Sequence, residues 1–334
     1  MAPRAASPIA VAALTGLLGA CAAVPPQGVF PARVPAALQS AGPIAVIGDL
    51  QMTPRFVRAV MGRESNETEQ AFLLADLQQH TASIGGLVIT GDLVFTARSA
   101  SDWRRFDRLI GPIARHVPVL PAIGNHDYHC FLVRKCTQKV VPRNFLSRFP
   151  WFSPGQPYTV AYGETVLAFL DSETNLEGQG LWLEGRLRDW ETQYRAVLII
   201  MHRPPFTSSA VRGAMPDAAV QAEIVPRLAG ARLVPIVVAG HVHGYEHLLI
   251  DGVHYVTSAG GGGPRGLLHA GRPNDVYAGR DCLRDEAGRV LRPFNYLLIE
   301  AAEAEIQVTV RGFCRGDAAV EVLESFRVPL PVRR

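Results

Sequence analysis

Five apolar runs in this chain each end in a polar side chain able to hold a metal ion. That series restricts the possible folds more than any other feature. Pro43-Ile44-Ala45-Val46-Ile47 runs into Gly48-Asp49-Leu50-Gln51, and Gly86-Leu87-Val88-Ile89-Thr90 into Gly91-Asp92. Val117 to Ile123 leads to Gly124-Asn125-His126-Asp127, and Val197 to Met201 leads to His202. Leu233 to Ala239 leads to Gly240-His241-Val242-His243. Short, continuously apolar runs read as strands buried on both faces. Just past a strand end the chain leaves the ladder, and side chains can turn toward one point. Taken singly, Asp after Gly is an ordinary turn or cap residue, and a lone His behind a strand is ordinarily structural. Five such ends in one chain are not explained that way.

Helical patterns lie between the runs. Asn66 to Ser83 reads as a helix, with Asn66 as N-cap and Glu69 placed for a capping box. Ser101 to His116, Leu181 to Tyr194 and Pro216 to Leu228 follow the same spacing. Val166 to Asp171 and Val253 to Thr257 read as further strands. Residues 128–158 and 264–293 read as loops, and Tyr296–Glu300, Glu305–Val310 and Ser325–Val328 as closing, largely antiparallel strands. The alternation predicts an α/β layer fold with its site at the carboxyl ends of the strands. The candidate ligands extend from Asp49 to His243, so residues 42–330 read as a single domain.

The ordered set Asp-x-Gln, Gly-Asp, Gly-Asn-His-Asp, His and Gly-His-x-His resembles the calcineurin-like metallophosphoesterase family. His202-Arg203-Pro204-Pro205, Gly244-Tyr245-Glu246 and the run Gly260–Gly263 resemble its purple-acid-phosphatase-like branch. The resemblance covers most of the chain from Ile44 to Gly263. It implies an α/β fold, a metallophosphoesterase-type β-sandwich of two mixed sheets flanked by helices, with two metals at the strand ends. It implies that Asp49, Gln51, Asp92 and His243 hold one ion, that Asp92, Asn125, His202 and His241 hold the other, and that Asp92 bridges. It places His126 at the phosphoryl group, with Asp127 orienting its ring.

Two positions depart from the family pattern. Gln51 stands where His is usual, and an amide oxygen is a harder donor than an imidazole nitrogen. Mn²⁺ or iron is therefore expected over Zn²⁺, which stays possible. Phe95 stands where purple enzymes carry an iron-bound tyrosine, so no purple colour is expected. The resemblance implies phosphate-ester hydrolysis by in-line attack of a metal-bridging hydroxide, foremost on monoesters of small molecules. The bridged centre would keep a net charge of about +1, which favours an oxyanion. A phosphodiesterase or nucleotide diphosphatase of the same fold, and a non-catalytic metal-stabilised binding protein, stand as alternatives. Arg203, His254 and Arg265 are candidates to meet substrate, with surface or packing roles as the alternative. The glycine run is a candidate to offer N–H groups to phosphate.

The N-terminus carries a different signal. Arg4 precedes the apolar run Pro8 to Ala20, which is too short to span a bilayer and has the size of a signal-peptide core. Leu18-Gly19-Ala20-Cys21 resembles the bacterial lipoprotein signal-peptidase box. Residues 1–20 are expected to be a signal peptide, with lipid on Cys21 as the membrane anchor. Residues 21–41, rich in Ala and Pro, are then a tether, and the protein an exported lipoprotein facing the periplasm or cell surface. Export makes disulfides reasonable among the other four cysteines. Near-neighbour pairing, Cys130–Cys136 and Cys282–Cys314, is chosen among three connectivities. The 48% hydrophobic and 19% charged content describes a chain with a large core. Its net charge is only +3, and Lys135 and Lys139 are the only lysines. No dense basic patch points to nucleic acid, and the sequence leaves the oligomeric state open.

Overall fold

The computed structural model describes residues 25–26, 30–128, 142–211 and 213–332. The first half begins with β1 (Ile44–Ile47), α1 (Arg55–Met61), α2 (Glu67–Gln79), β2 (Gly86–Ile89), α3 (Ala100–Ala114) and β3 (Val119–Pro121). Then come α4 (Arg143–Leu146), β4 (Tyr158–Tyr162), β5 (Thr165–Phe169), α5 (Leu176–Trp190) and β6 (Ala196–Ile200). α6 (Ala218–Glu223), α7 (Val225–Leu228), β7 (Val234–Ala239), β8 (Tyr245–Ile250) and β9 (Val253–Ser258) follow. The chain closes with β10 (Leu268–His269), β11 (Leu283–Arg284), β12 (Arg289–Leu291), β13 (Phe294–Ala301), β14 (Glu305–Phe313) and β15 (Glu321–Pro329).

Two six-stranded mixed sheets stack face to face. The first has the order β15-β14-β13-β1-β2-β3, with β1, β2 and β3 parallel and β13 antiparallel to β1. The second has the order β4-β5-β6-β7-β9-β8, with β5, β6, β7 and β9 parallel and an antiparallel strand at each edge. Period-two geometry sorts each strand's side chains between two cores. Ile44 and Val46 of β1 face the second sheet, where they join Val88, Leu120, Leu198, Ile200, Ile236 and Val238. Ala45 and Ile47 face outward, under Leu73 and Leu77 of α2 and Trp103, Phe106 and Ile110 of α3. Val197, Ile199 and Val237 of the second sheet are covered by Leu183 and Leu187 of α5 and Val220 of α6. Burial on both faces is why these strands read as unbroken apolar runs. The result is the expected sandwich of two mixed sheets flanked by helices.

Several local features differ from the sequence reading. Asn66 precedes α2 but makes no side-chain cap bond. Its amide instead donates to Gly263 O at 2.9 Å, joining the helix start to the glycine run. α5 begins earlier than expected, at Leu176, and β4 and β8 were not expected as strands. Residues 264–293 contain a small three-stranded sheet, β10-β12-β11. Its strands are two or three residues long, too short for a periodic signal. The folded body also reaches back into the segment read as a tether. Phe30 packs against Phe106 and Phe149, Trp151 Nε1 donates to Pro31 O, and Leu38 N donates to Ala161 O.

The Cys282–Cys314 disulfide is formed, tying the turn before β11 to the end of β14. Cys21, Cys130 and Cys136 lie outside the described residues. None of the described helices is long and apolar enough to cross a membrane.

Arg148 and Asp107 form a fully buried ion pair, with Arg148 Nε 2.6 Å from Asp107 Oδ1 and the guanidinium 4.8 Å over Trp103. Removing one partner leaves a buried charge unmet, whereas replacing both with apolar groups does not. Asp107→Ala should therefore cost about 3–5 kcal/mol in denaturant unfolding. The double variant Asp107→Leu/Arg148→Met should recover most of that loss. Asp76 sets part of the acid limit. Burial raises its pKa, but bonds from Arg311 at 2.9 Å and Tyr296 at 2.6 Å outweigh that and hold it below the ordinary Asp range. A depressed folded-state pKa adds stability above the unfolded value, about 3.9, that is lost as pH falls through the folded value. Asp76→Asn should flatten the loss of melting temperature over that acid window.

Candidate metal centre

The ligand candidates arrive from both sheets. Asp49, Asp92 and Asn125 follow β1, β2 and β3 of the first sheet; His202, His241 and His243 follow β6 and β7 of the second. Asp49, Asp92, His241 and His243 all have left-handed backbone, with φ of 59°, 53°, 75° and 55°. Non-glycine residues seldom adopt it, at a cost of order 1–3 kcal/mol each. Here it turns each side chain back over the strand ends. The glycines beside them permit the convergence. A Cβ on Gly124 would lie 2.2 Å from Asp92 Oδ1, and one on Gly91 (φ 96°) would lie 2.6 Å from the His202 ring.

Two groups of donor atoms result, Asp92–His202–His241 and Asp49–Asp92–His243, with the ligand atoms of each within 4.8 Å of one another. Asp92 belongs to both. Asp92 Oδ2 lies 3.3 Å from His202 Nε2, and Asp49 Oδ1 lies 3.3 Å from His243 Nε2. Asn125 Oδ1 is 3.2 Å from His202 Nε2, and His241 Nδ1 is 3.2 Å from the same nitrogen. All the predicted ligands are therefore brought together, Gln51 included.

The outer nitrogen of each imidazole meets a backbone carbonyl. His202 Nδ1 faces Thr90 O at 2.9 Å, His243 Nδ1 faces Pro264 O at 2.8 Å, and His126 Nδ1 faces Phe95 O at 2.8 Å. His241 is turned the other way, with Nε2 3.1 Å from Gly213 O and Arg203 Nη1 alongside at 3.1 Å. A carbonyl can only accept, so the outer nitrogens of His202, His243 and His126 donate, and the inward nitrogen of a neutral ring then carries a lone pair; His241 Nε2 faces an acceptor and a donor together. The space between the ligands is then bounded by acceptors: carboxylate oxygens, imine nitrogens and the Asn125 carbonyl.

Gln51 tests whether this space suits a cation. Its Nε2 lies 3.0 Å from Asp92 Oδ2 and 2.9 Å from His243 Nε2, while buried Oε1 has no hydrogen-bond partner. Buried Asp49 Oδ1 has only the 3.3 Å approach of His243 Nε2. The two ends of an amide are interchangeable in shape. Turned over, Oε1 would join the other acceptor atoms facing this space, where a cation would satisfy it. The donor set fits two cations, with Asp92 between them.

The clustered carboxylates and imidazoles also perturb one another's protonation. Burial opposes ionisation of Asp92, but the adjoining His202 and His126 outweigh it and hold its pKa below the usual carboxylate range. Burial likewise disfavours charged His202, yet Asp92 carries its pKa up to about 10. His241 moves the opposite way, down to about 2, through burial and the charges of His202 and Arg203.

The residues expected nearby divide into two groups. His126 lines the cleft over the cluster, a space of about 420 Å³, and its backbone N–H donates to Asp92 Oδ1 at 2.8 Å. Asp127 does not orient the His126 ring. Its buried carboxylate accepts from Gly124 N at 2.9 Å and Leu93 N at 3.0 Å, so it builds the turn, and burial with Asp92 nearby pushes its pKa up. Phe95 holds His126 instead, through its carbonyl and its ring at 4.9 Å. Sequence gives no signal for a backbone acceptor.

His254 is not at the site. It pairs with Ile236, inside β7 and five residues before His241, bonds His247 at 2.9 Å and stacks on Phe326. Arg203 is held by Glu173 at 2.6 Å, and Arg265 by Glu64 at 3.1 Å. The N–H groups of Gly261 and Gly263 donate to Gly48 O and Asp49 O, so they pin the β1 loop rather than face the cleft.

This fold, with two linked groups of candidate metal ligands at its strand ends, is that of the calcineurin-like phosphoesterases. The chain belongs to the calcineurin-like phosphoesterase family, whose model matches residues 42–245. It is 26% identical over 167 residues to a probable purple acid phosphatase 20 of Arabidopsis thaliana, covering 48% of this chain and 39% of that protein. In fold it is similar to the purple acid phosphatase PPD1 of yellow lupin (Lupinus luteus) seeds. That match has a TM-score of 0.67 at 17% identity, over 88% of this chain and 55% of that one. A dimetal phosphatase from Danio rerio matches with a TM-score of 0.53 at 13% identity, over 88% of this chain and 100% of that one. The chain thus spans well under two thirds of the Arabidopsis and lupin proteins.

Elemental analysis of purified, Mn²⁺- or iron-loaded protein should find about two metal equivalents per chain. Asp92→Asn should lose most of both. Chelation should lower the melting temperature of the parent protein, because free metal at a hundred times Kd adds about 2.7 kcal/mol of stability.

Proposed function

We propose that this chain hydrolyses phosphate monoesters at the cleft over Asp92 as an exported, lipid-anchored phosphatase. The observation carrying the hydrolase reading is the pair of acceptor-lined ligand groups sharing Asp92 beneath His126. When bound, two cations supply positive charge to the phosphoryl oxygens and acidify water into a nucleophile. Asp49, Gln51, Asp92 and His243 would hold one, and Asp92, Asn125, His202 and His241 the other.

The chain's own residues supply the rest. His126 donates Nδ1–H to Phe95 O, so Nε2 is the nitrogen that exchanges a proton. Its backbone bond to Asp92 fixes the ring relative to the shared carboxylate. From the cleft wall Nε2 delivers a proton to the departing ester oxygen, which avoids releasing an alkoxide. Arg203, fixed by Glu173 and beside His241, adds positive charge at the cleft.

The monoester preference rests on the resemblance to purple acid phosphatases. Export and acylation at Cys21 rest on Arg4, the apolar run Pro8 to Ala20 and the Leu18-Gly19-Ala20-Cys21 box.

Metal-loaded protein should turn over p-nitrophenyl phosphate faster than its bis ester. His126→Ala should lower kcat by about 10²–10⁴-fold, and Asp92→Asn should abolish turnover. Absence of turnover on monoester, diester and pyrophosphate panels, with two metals bound, would overturn the hydrolase reading in favour of a binding protein. Globomycin-sensitive processing and labelling by a palmitate analogue, both lost in Cys21→Ala, test the anchor.

A further inference from the structure

We infer that Arg63 is a specificity-determining residue that binds a second anionic group on the substrate, so that among substrates with a terminal phosphoryl group those carrying a second phosphoryl group, organic diphosphates, are preferred. This rests on the phosphatase reading above and extends it to the leaving side of the cleft.

The observation is an accounting of cations. Arg63 and Arg265 both line the cleft. Arg265 is committed: its Nε and Nη2 meet the two oxygens of Glu64 at 3.2 and 3.1 Å, Nη1 donates to Arg292 O at 3.2 Å, and its plane lies 3.9 Å over the Phe294 ring. Arg203 is likewise committed to Glu173. Arg63 is exposed at the rim, and among the described residues nothing bonds its guanidinium.

Its backbone is nonetheless fixed. α1 ends at Gly62 in left-handed conformation, and the Arg63 N–H folds back onto Arg58 O at 3.3 Å. On the other side Glu64 is gripped by the Arg265 side chain and by Arg265 N at 3.1 Å. The structure thus holds the base of Arg63 at the rim while leaving its fork of donors for a ligand. A guanidinium suits this task, because its planar donors match phosphate oxygens in pairs.

The reacting phosphoryl group needs no rim arginine, since the ligand cluster lies at the floor beside Asp92 and His126. A cleft of about 420 Å³ also holds far more than one phosphoryl group. Val211, Ala214, Val242 and Pro264 give it apolar surface for the organic part of the leaving group. A phosphoryl group at the floor, a second one at Arg63 and an organic ring or chain along the wall describe a diphosphate ester such as a nucleoside diphosphate.

The test compares p-nitrophenyl phosphate with ADP on the full metal-loaded protein. Arg63→Ala should raise KM for ADP at least tenfold with kcat within twofold, and leave both constants for p-nitrophenyl phosphate within twofold. Arg63→Lys should restore part of the ADP KM, retaining charge without the fork. Calorimetry gives a readout independent of turnover: Arg63→Ala should weaken inorganic pyrophosphate binding about tenfold and orthophosphate binding little. Equal effects on both substrates, no effect on either, no turnover of ADP by the parent protein, or unchanged pyrophosphate binding would each overturn the assignment. Loss of p-nitrophenyl phosphate turnover in the parent protein would instead count against the phosphatase reading, with the pyrophosphate titration still deciding the role of Arg63.

Discussion

The carboxylate of Asp92 is the point on which the structure depends. It belongs to both ligand groups, accepts the backbone N–H of His126, and lies between side chains delivered by different sheets. Such a position cannot be reached from regular strand geometry. It needs a left-handed residue at the end of β2 and glycines on neighbouring chains where a Cβ would collide. The parallel strands beneath, buried on both faces, are what keep that strained arrangement from relaxing.

The protein builds its acceptor-lined space largely by directing protons outward. Four histidines present one ring nitrogen to a main-chain carbonyl, of Thr90, Phe95, Gly213 or Pro264. None of those four residues has a side chain suggesting the role. The division of labour also explains Asp127, whose carboxylate closes the turn after β3 and leaves the His126 ring to Phe95. Phe95, marked in the sequence by the hydroxyl it lacks, thus contributes through its main chain.

What was legible in the sequence was whatever burial writes into composition. The strands of both parallel cores showed as apolar runs, and the polar residue ending each run is a member of the site. Positions whose partners are distant in sequence were less legible. β8 was hidden because Glu246 and His247 are polar yet buried, with Glu246 accepting from Ser208 N at 2.7 Å. Asn66 has the chemistry of a cap but bonds Gly263 across the fold. His254 reads as a substrate contact in sequence, but strand register sets it back beside Ile236, away from the strand ends that carry the ligands. The Pro-rich segment before β1 reads as a tether by composition, but Phe30 finds an aromatic pocket at Phe106 and Phe149.

The origin of the two halves of the centre has a further consequence. Carboxylates and amides come from one sheet and imidazoles, apart from His126, from the other, so the layer of Val46, Val88, Leu198 and Val238 between them acts as a spacer. Its thickness sets how far apart the two families of ligands stand. Any slip of one sheet across the other would change the distances between carboxylate and imidazole within each ligand group. The hydrocarbon interior, which contributes no ligand, is in that sense the gauge block of the centre.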